Sequence, residues 1–133
     1  MEIKRNDATI NRPEGDRVID APFVFVGLAP FILQLKSEEA WKKNDRNGIT
    51  VFKTGNVTVV LSALHEGAEV LDTTIDGIVT VQVIEGAIRI NTSEGDMDLK
   101  EKEMVCLHPN TNHSIKATSE SVILITNSST DNK

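Results

Sequence analysis

The sequence predicts an all-β sandwich or barrel preceded by one short helix, and three observations carry that reading. From Ile49 onward the chain is a succession of short stretches rich in Val, Ile and Thr. They are broken at close spacing by turn signals such as Gly55-Asn56, Glu94-Gly95-Asp96 and Pro109-Asn110. Eight or so strands at such spacing suit a sandwich or barrel. Residues 79–90, V-T-V-Q-V-I-E-G-A-I-R-I, are the most regular strand–turn–strand in the chain. Only residues 30–43, P-F-I-L-Q-L-K-S-E-E-A-W-K-K, read as a helix.

In chain order, residues 1–17 form a polar segment, expected to be loosely held. Residues 17–28, R-V-I-D-A-P-F-V-F-V-G-L, are β-rich. Pro22 lacks an N–H and places them at a sheet edge or outside the sheet. Such an apolar arm needs a cover, and a neighbouring subunit can supply one. Pro30 suits the first turn of the helix, with Ile32, Leu33 or Leu35, Lys36 and Ala40 along one side. Trp41 closes it as a packing anchor, and Lys42 and Lys43 suit the negative end of the helix dipole. Residues 44–48, N-D-R-N-G, read as a turn. One barrel domain then runs over residues 18–127, helix included, and residues 128–133 form a polar tail.

Composition narrows the function. A chain of 133 residues is long enough for one domain with a core. Its net charge of −6 disfavours nucleic acid or an anionic membrane as partner, since both require a positive footprint. The single cysteine, Cys106, excludes an intrachain disulfide. The N-terminal residues are charged rather than apolar, unlike a secretory signal. The apolar run over residues 21–33 is short and holds Pro22 and Pro30, so it does not span a bilayer. Together these describe a soluble cytoplasmic protein.

The run G-A-E-V-L-D-T-T-I-D-G-I-V-T-V-Q-V-I-E-G, followed by M-V-C-L-H-P-N-T-N-H-S-I, resembles the motifs of the cupin superfamily, in particular its small single-domain bacterial (RmlC-like) members. The resemblance covers about residues 18–126. It implies a double-stranded β-helix, or jelly-roll barrel, with a pocket in its mouth, and a homodimer. The family's shaping glycines stand at Gly67, Gly77 and Gly86, whereas two glycines of its second motif are Lys102 and Asn110 here.

The same resemblance implies where a metal would be held. The family's two first-motif histidines fall on Thr73 and Ile75, its glutamate on Val79 and its second-motif histidine on His113. A divalent ion needs three or four converging N, O or S donors, and here one imidazole and one weak hydroxyl remain. The expectation is therefore no metal and no other cofactor, with His113 the ligand if a metal binds. By strand alternation Thr73, Ile75, Val79, Val81 and Val83 share the inward face. Thr73, Ile75, Val79, Val81 and His113 are the candidate pocket residues. His113 reads either as a pocket hydrogen bonder or base, or as a rim histidine bonded to backbone.

Other chemistry-bearing residues read as structural. His65 and His108 fall at surface turns, and Cys106 inside its strand reads as a small buried hydrophobe. Gln82 has the parity opposite to the pocket face. Asp72 and Asp76 flank a solvated turn. The first functional expectation is a non-catalytic small-molecule-binding or sensory module with a metal-free, largely apolar pocket. The alternatives are a metal-dependent enzyme of dioxygenase or isomerase type with unusual ligands, and a structural dimer whose barrel is filled by its own side chains.

Overall fold

A computed structural model describes residues 2–10, 12–73 and 76–129, without the side chains of Leu71, Asp72 and Thr73. The chain builds β1 (Lys4–Asn6), β2 (Arg17–Asp20), α1 (Leu28–Ser37), α2 (Glu39–Lys43), β3 (Arg46–Lys53), β4 (Val57–Leu64), β5 (Glu69–Thr73), β6 (Gly77–Glu85), β7 (Ala87–Thr92), β8 (Gly95–Lys100), β9 (Met104–Leu107), β10 (His113–Ala117) and β11 (Ser121–Ser129). A five-stranded sheet has the order β3-β4-β11-β6-β9, a four-stranded sheet β5-β10-β7-β8, and β1 pairs with β2 alone. The pairings are antiparallel. The chain crosses repeatedly between the two large sheets, as a jelly roll does.

Alternation along the strands sorts the apolar side chains into two layers. Val79, Val81 and Val83 of β6 and Ile123 of β11 face Ile88 and Ile90 of β7 and Ile115 of β10, and fill the space between the sheets. The opposite faces of the same strands serve a second core. Val122 of β11 and Leu61 and Ala63 of β4 pack outward with Ile49 and Val51 of β3 against Leu35 and Trp41 of the helices. Fully burying one such aliphatic side chain contributes about 1.5–3 kcal/mol. The helical layer is thus the cover for the outer face of the large sheet.

The helix is two helices. Leu28, Phe31, Ile32 and Leu35 recur at the spacing of one α-helical face and pack on the sheet, while Leu33 and Lys36 point elsewhere. Glu38 then leaves helical geometry, with φ −80° and ψ 152°, and α2 restarts at Glu39. The cause is the Glu38 side chain, which accepts from Arg12 Nη2 at 2.9 Å, Arg12 Nε at 3.1 Å, Asn47 Nδ2 at 3.0 Å and Gln34 Nε2 at 3.1 Å. Arg12 also donates to the Gly48 carbonyl at 2.9 Å. Part of the polar N-terminal segment is therefore tied down rather than loose.

Other expectations also shift. Within residues 17–28 only Arg17–Asp20 form a strand, because Pro22 removes the next ladder donor. The predicted turn at 44–48 is already strand from Arg46, paired with Leu64. Cys106 is exposed, since it pairs with Thr80 on the side of β9 away from the barrel. At the tail, β11 continues through Ser129, and residues 130–133 lie outside the described residues.

Two turns depend on left-handed backbone. Gly86, between β6 and β7, has φ +85°, and a Cβ there would meet the Glu120 carbonyl and Ser121. Lys102 (φ 72°) and Asn110 (φ 62°) adopt the same conformation without being glycine. Those are the two positions where the sequence departs from glycine in its second motif.

Candidate functional site at the open end of the barrel

The β-ladder registers define the two ends of the barrel. Ser121, Leu64 and Glu85 gather at one end, and Val57, Gly77 and Ser129 at the other. His113 begins β10 at the second end, opposite Thr92 of β7 and Thr73 of β5. Val79 pairs with Leu107 there. The candidate residues described by the structure, Val79, Val81 and His113, thus lie in one barrel, with Val79 and His113 toward that second end. Ile75 and the Thr73 side chain lie outside the described residues.

The wall is apolar. Val79 is 3% exposed and Val81 fully buried, and Leu107, Val105 and Ile125 join the same cluster. His113 is buried, and its Nδ1 lies 3.1 Å from the Thr111 carbonyl. A carbonyl only accepts, so Nδ1 carries the proton, and in the neutral form of the ring Nε2 is the acceptor. His113 is therefore bonded to backbone at the rim, and this same bond orients the ring.

A resident metal does not fit these residues. Val79 stands at the position that the resemblance gives to a carboxylate ligand, and an isopropyl group donates nothing. Among the described residues no three His, Cys, Asp or Glu side chains come together in a way that could hold a metal ion.

Sequence reasoning missed two features. His65 is not a free turn residue: its ring stacks on Trp41 with centroids 3.5 Å apart and planes 16° from parallel. Its Nε2 lies 2.8 Å from the Trp41 carbonyl. The second is Asn127, which faces the barrel interior in strand β11. It was hidden because it lies where the apolar stretch gives way to polar residues, beyond the last residue that reads as strand. Its register opposite Val79 gives it away. Away from the mouth, a depression of about 280 Å³ on the outer face of the large sheet is lined by Val24, Val26, Leu28, Val51, Phe52, Val59 and Leu124.

Comparison with known proteins bears on the fold. No protein-family model matches the chain, and no curated protein matches its sequence. Solved structures do match. A cupin superfamily protein from Desulfitobacterium hafniense superposes with a TM-score of 0.63 at 15% identity, over 65% of this chain and 79% of that one. An RmlC-like cupin from Shewanella frigidimarina gives 0.60 at 15% identity, over 63% and 76%. The chain has the cupin fold. A third structure, KdgF from a Halomonas species, gives 0.60 at 15% identity over 67% and 84% of the two chains. Among the described residues no helix is long and apolar enough to cross a membrane.

Proposed function

We propose that this cupin-fold chain is a non-catalytic module that binds a small molecule at the open end of its barrel without a metal. The observation that carries the reading is the inward face of β6. Val79 and Val81 present methyl groups where metal chemistry needs donors, and a small-ligand pocket is commonly built of such a wall with a few placed polar groups. His113, held by the Thr111 carbonyl, is the polar group that orients the ligand. A metal-dependent enzyme of dioxygenase or isomerase type draws support from the fold alone, and a fold hosts many activities.

A thermal-shift screen against a metabolite panel tests this. A ligand at about 100 times its Kd stabilises the folded state by roughly 2.7 kcal/mol. The expected result is one chemical class that raises Tm in the parent protein and not in His113→Ala. A panel that shifts neither protein counts against the binding reading.

One observation favours self-association as a further property. Phe23 and Phe25 are 86% and 88% exposed, and they flank Val24, which lines the apolar depression on the outer sheet face. Exposed aromatic rings and an apolar hollow in one segment are what a twofold interface can use, since each copy offers both. A homodimer through the 23–26 arm follows, and its stoichiometry by light scattering is the test.

A further inference from the structure

The interior of the barrel changes character at the end where His113 begins β10. Ile123 pairs with Val83, Ile125 with Val81 and Asn127 with Val79. Directly opposed residues of an antiparallel pair share a face, so Asn127 continues the inward row of Ile123 and Ile125. On its other side it pairs with Thr58 of β4. The Asn127 Oδ1 atom is buried and has no hydrogen-bond partner. A buried amide oxygen without a donor is unfavourable and rare in a native fold.

His113 occupies the same end from the facing sheet. With Nδ1–H donated to the Thr111 carbonyl, Nε2 of the neutral ring is a second acceptor. Two acceptors therefore lie at the end of a barrel whose apolar cluster includes Val79, Leu107 and Ile125. An acceptor is satisfied only by a donor, and the apolar surroundings penalise a charged one.

We propose that the open end of the barrel holds a small uncharged molecule with an apolar body and an O–H or N–H group, donated to Asn127 Oδ1 or His113 Nε2. Asn127 is then the specificity-determining residue of the pocket. This rests on reading the mouth as a ligand site, and it adds the chemical class of the ligand.

Phenol and toluene are suitable probes, because they differ by one hydroxyl on the same apolar body. Binding is followed by NMR at the Asn127 side-chain amide and the His113 ring, in the full chain and in Asn127→Leu. The expected result is that phenol moves both sets of signals and that toluene binds at least about tenfold more weakly, a preference of the size a placed hydrogen bond provides. Asn127→Leu keeps its Tm and loses the preference. Equal binding of both probes overturns the donor requirement while leaving the mouth as a binding site. Failure of both probes to move either residue at saturating concentration overturns the mouth reading as well. A fall of several degrees in the Tm of Asn127→Leu shows that Oδ1 serves the fold, and overturns the proposal from the other side.

Discussion

Arg12→Ala is expected to be among the most damaging changes outside the barrel core. Arg12 ties the N-terminal segment to the helix break and to β3: it donates to the Glu38 carboxylate at the α1–α2 break, to Asn47 Oδ1 at 3.2 Å and to the Gly48 carbonyl at 2.9 Å. The Arg12 and Glu38 side chains are 20% and 10% exposed. Removing one partner of a buried pair costs about 3–5 kcal/mol, chiefly because the other charge is stranded. Water reaches this pair in part, and Asn47 and Gln34 still donate to Glu38, so roughly 2–4 kcal/mol is the appropriate range.

The pH dependence supplies a second readout. Burial pushes the Glu38 carboxyl up, but hydrogen bonds from Arg12, Asn47 and Gln34 together outweigh it and hold the group below its ordinary value. A carboxyl lowered on folding contributes stability above its unfolded pKa, about 4.3, and loses it as pH falls through the folded value. Urea unfolding at pH 7 and at pH 3 should therefore show a large gap between the parent and Arg12→Ala at pH 7 and a smaller one at pH 3. A loss under about 1 kcal/mol at pH 7, of the size of an exposed ion pair, refutes the reasoning. So does a gap that is the same at both pH values.

Further outcomes follow from the packing. Ile115→Ala removes a side chain that is 2% exposed in the barrel core and should cost about 2–5 kcal/mol by urea unfolding. Gly86→Ala imposes a left-handed residue and a clash with the Glu120 carbonyl, for a loss of at least about 2 kcal/mol. Lys102→Gly relieves the same backbone strain at φ 72°. After the added entropy of the unfolded chain it should stabilise by roughly 0.5–1 kcal/mol. Replacing Phe23 and Phe25 together by Ser should give a folded monomer by light scattering and circular dichroism, whereas an unchanged mass assigns the interface elsewhere.

The barrel was legible in the sequence because alternation is a local signal. Val79, Val81 and Val83 announce their common face without reference to any partner strand. The division of the helix was not legible, because its cause is long-range: Glu38 leaves the helix to meet Arg12, 26 residues away. His65 looked like a turn residue for the same reason, since its stacking partner Trp41 lies on another element. Cys106 was misplaced by reading an edge strand, β9, as if both its faces were covered. At the site, His113 was found from its motif position, while Asn127 needed the strand register. Lys102 and Asn110 read as departures from the motif, yet each keeps the positive φ that glycine supplies there.

Metal analysis of protein purified without an affinity tag bears most directly on whether this barrel works by binding rather than by metal chemistry. With Val79 in the wall and His113 the single imidazole described there, Mn, Fe, Ni and Zn should all be well below one equivalent, and adding any of them should leave Tm unchanged. One equivalent of a single metal, with a rise in Tm that His113→Ala abolishes, would contradict it.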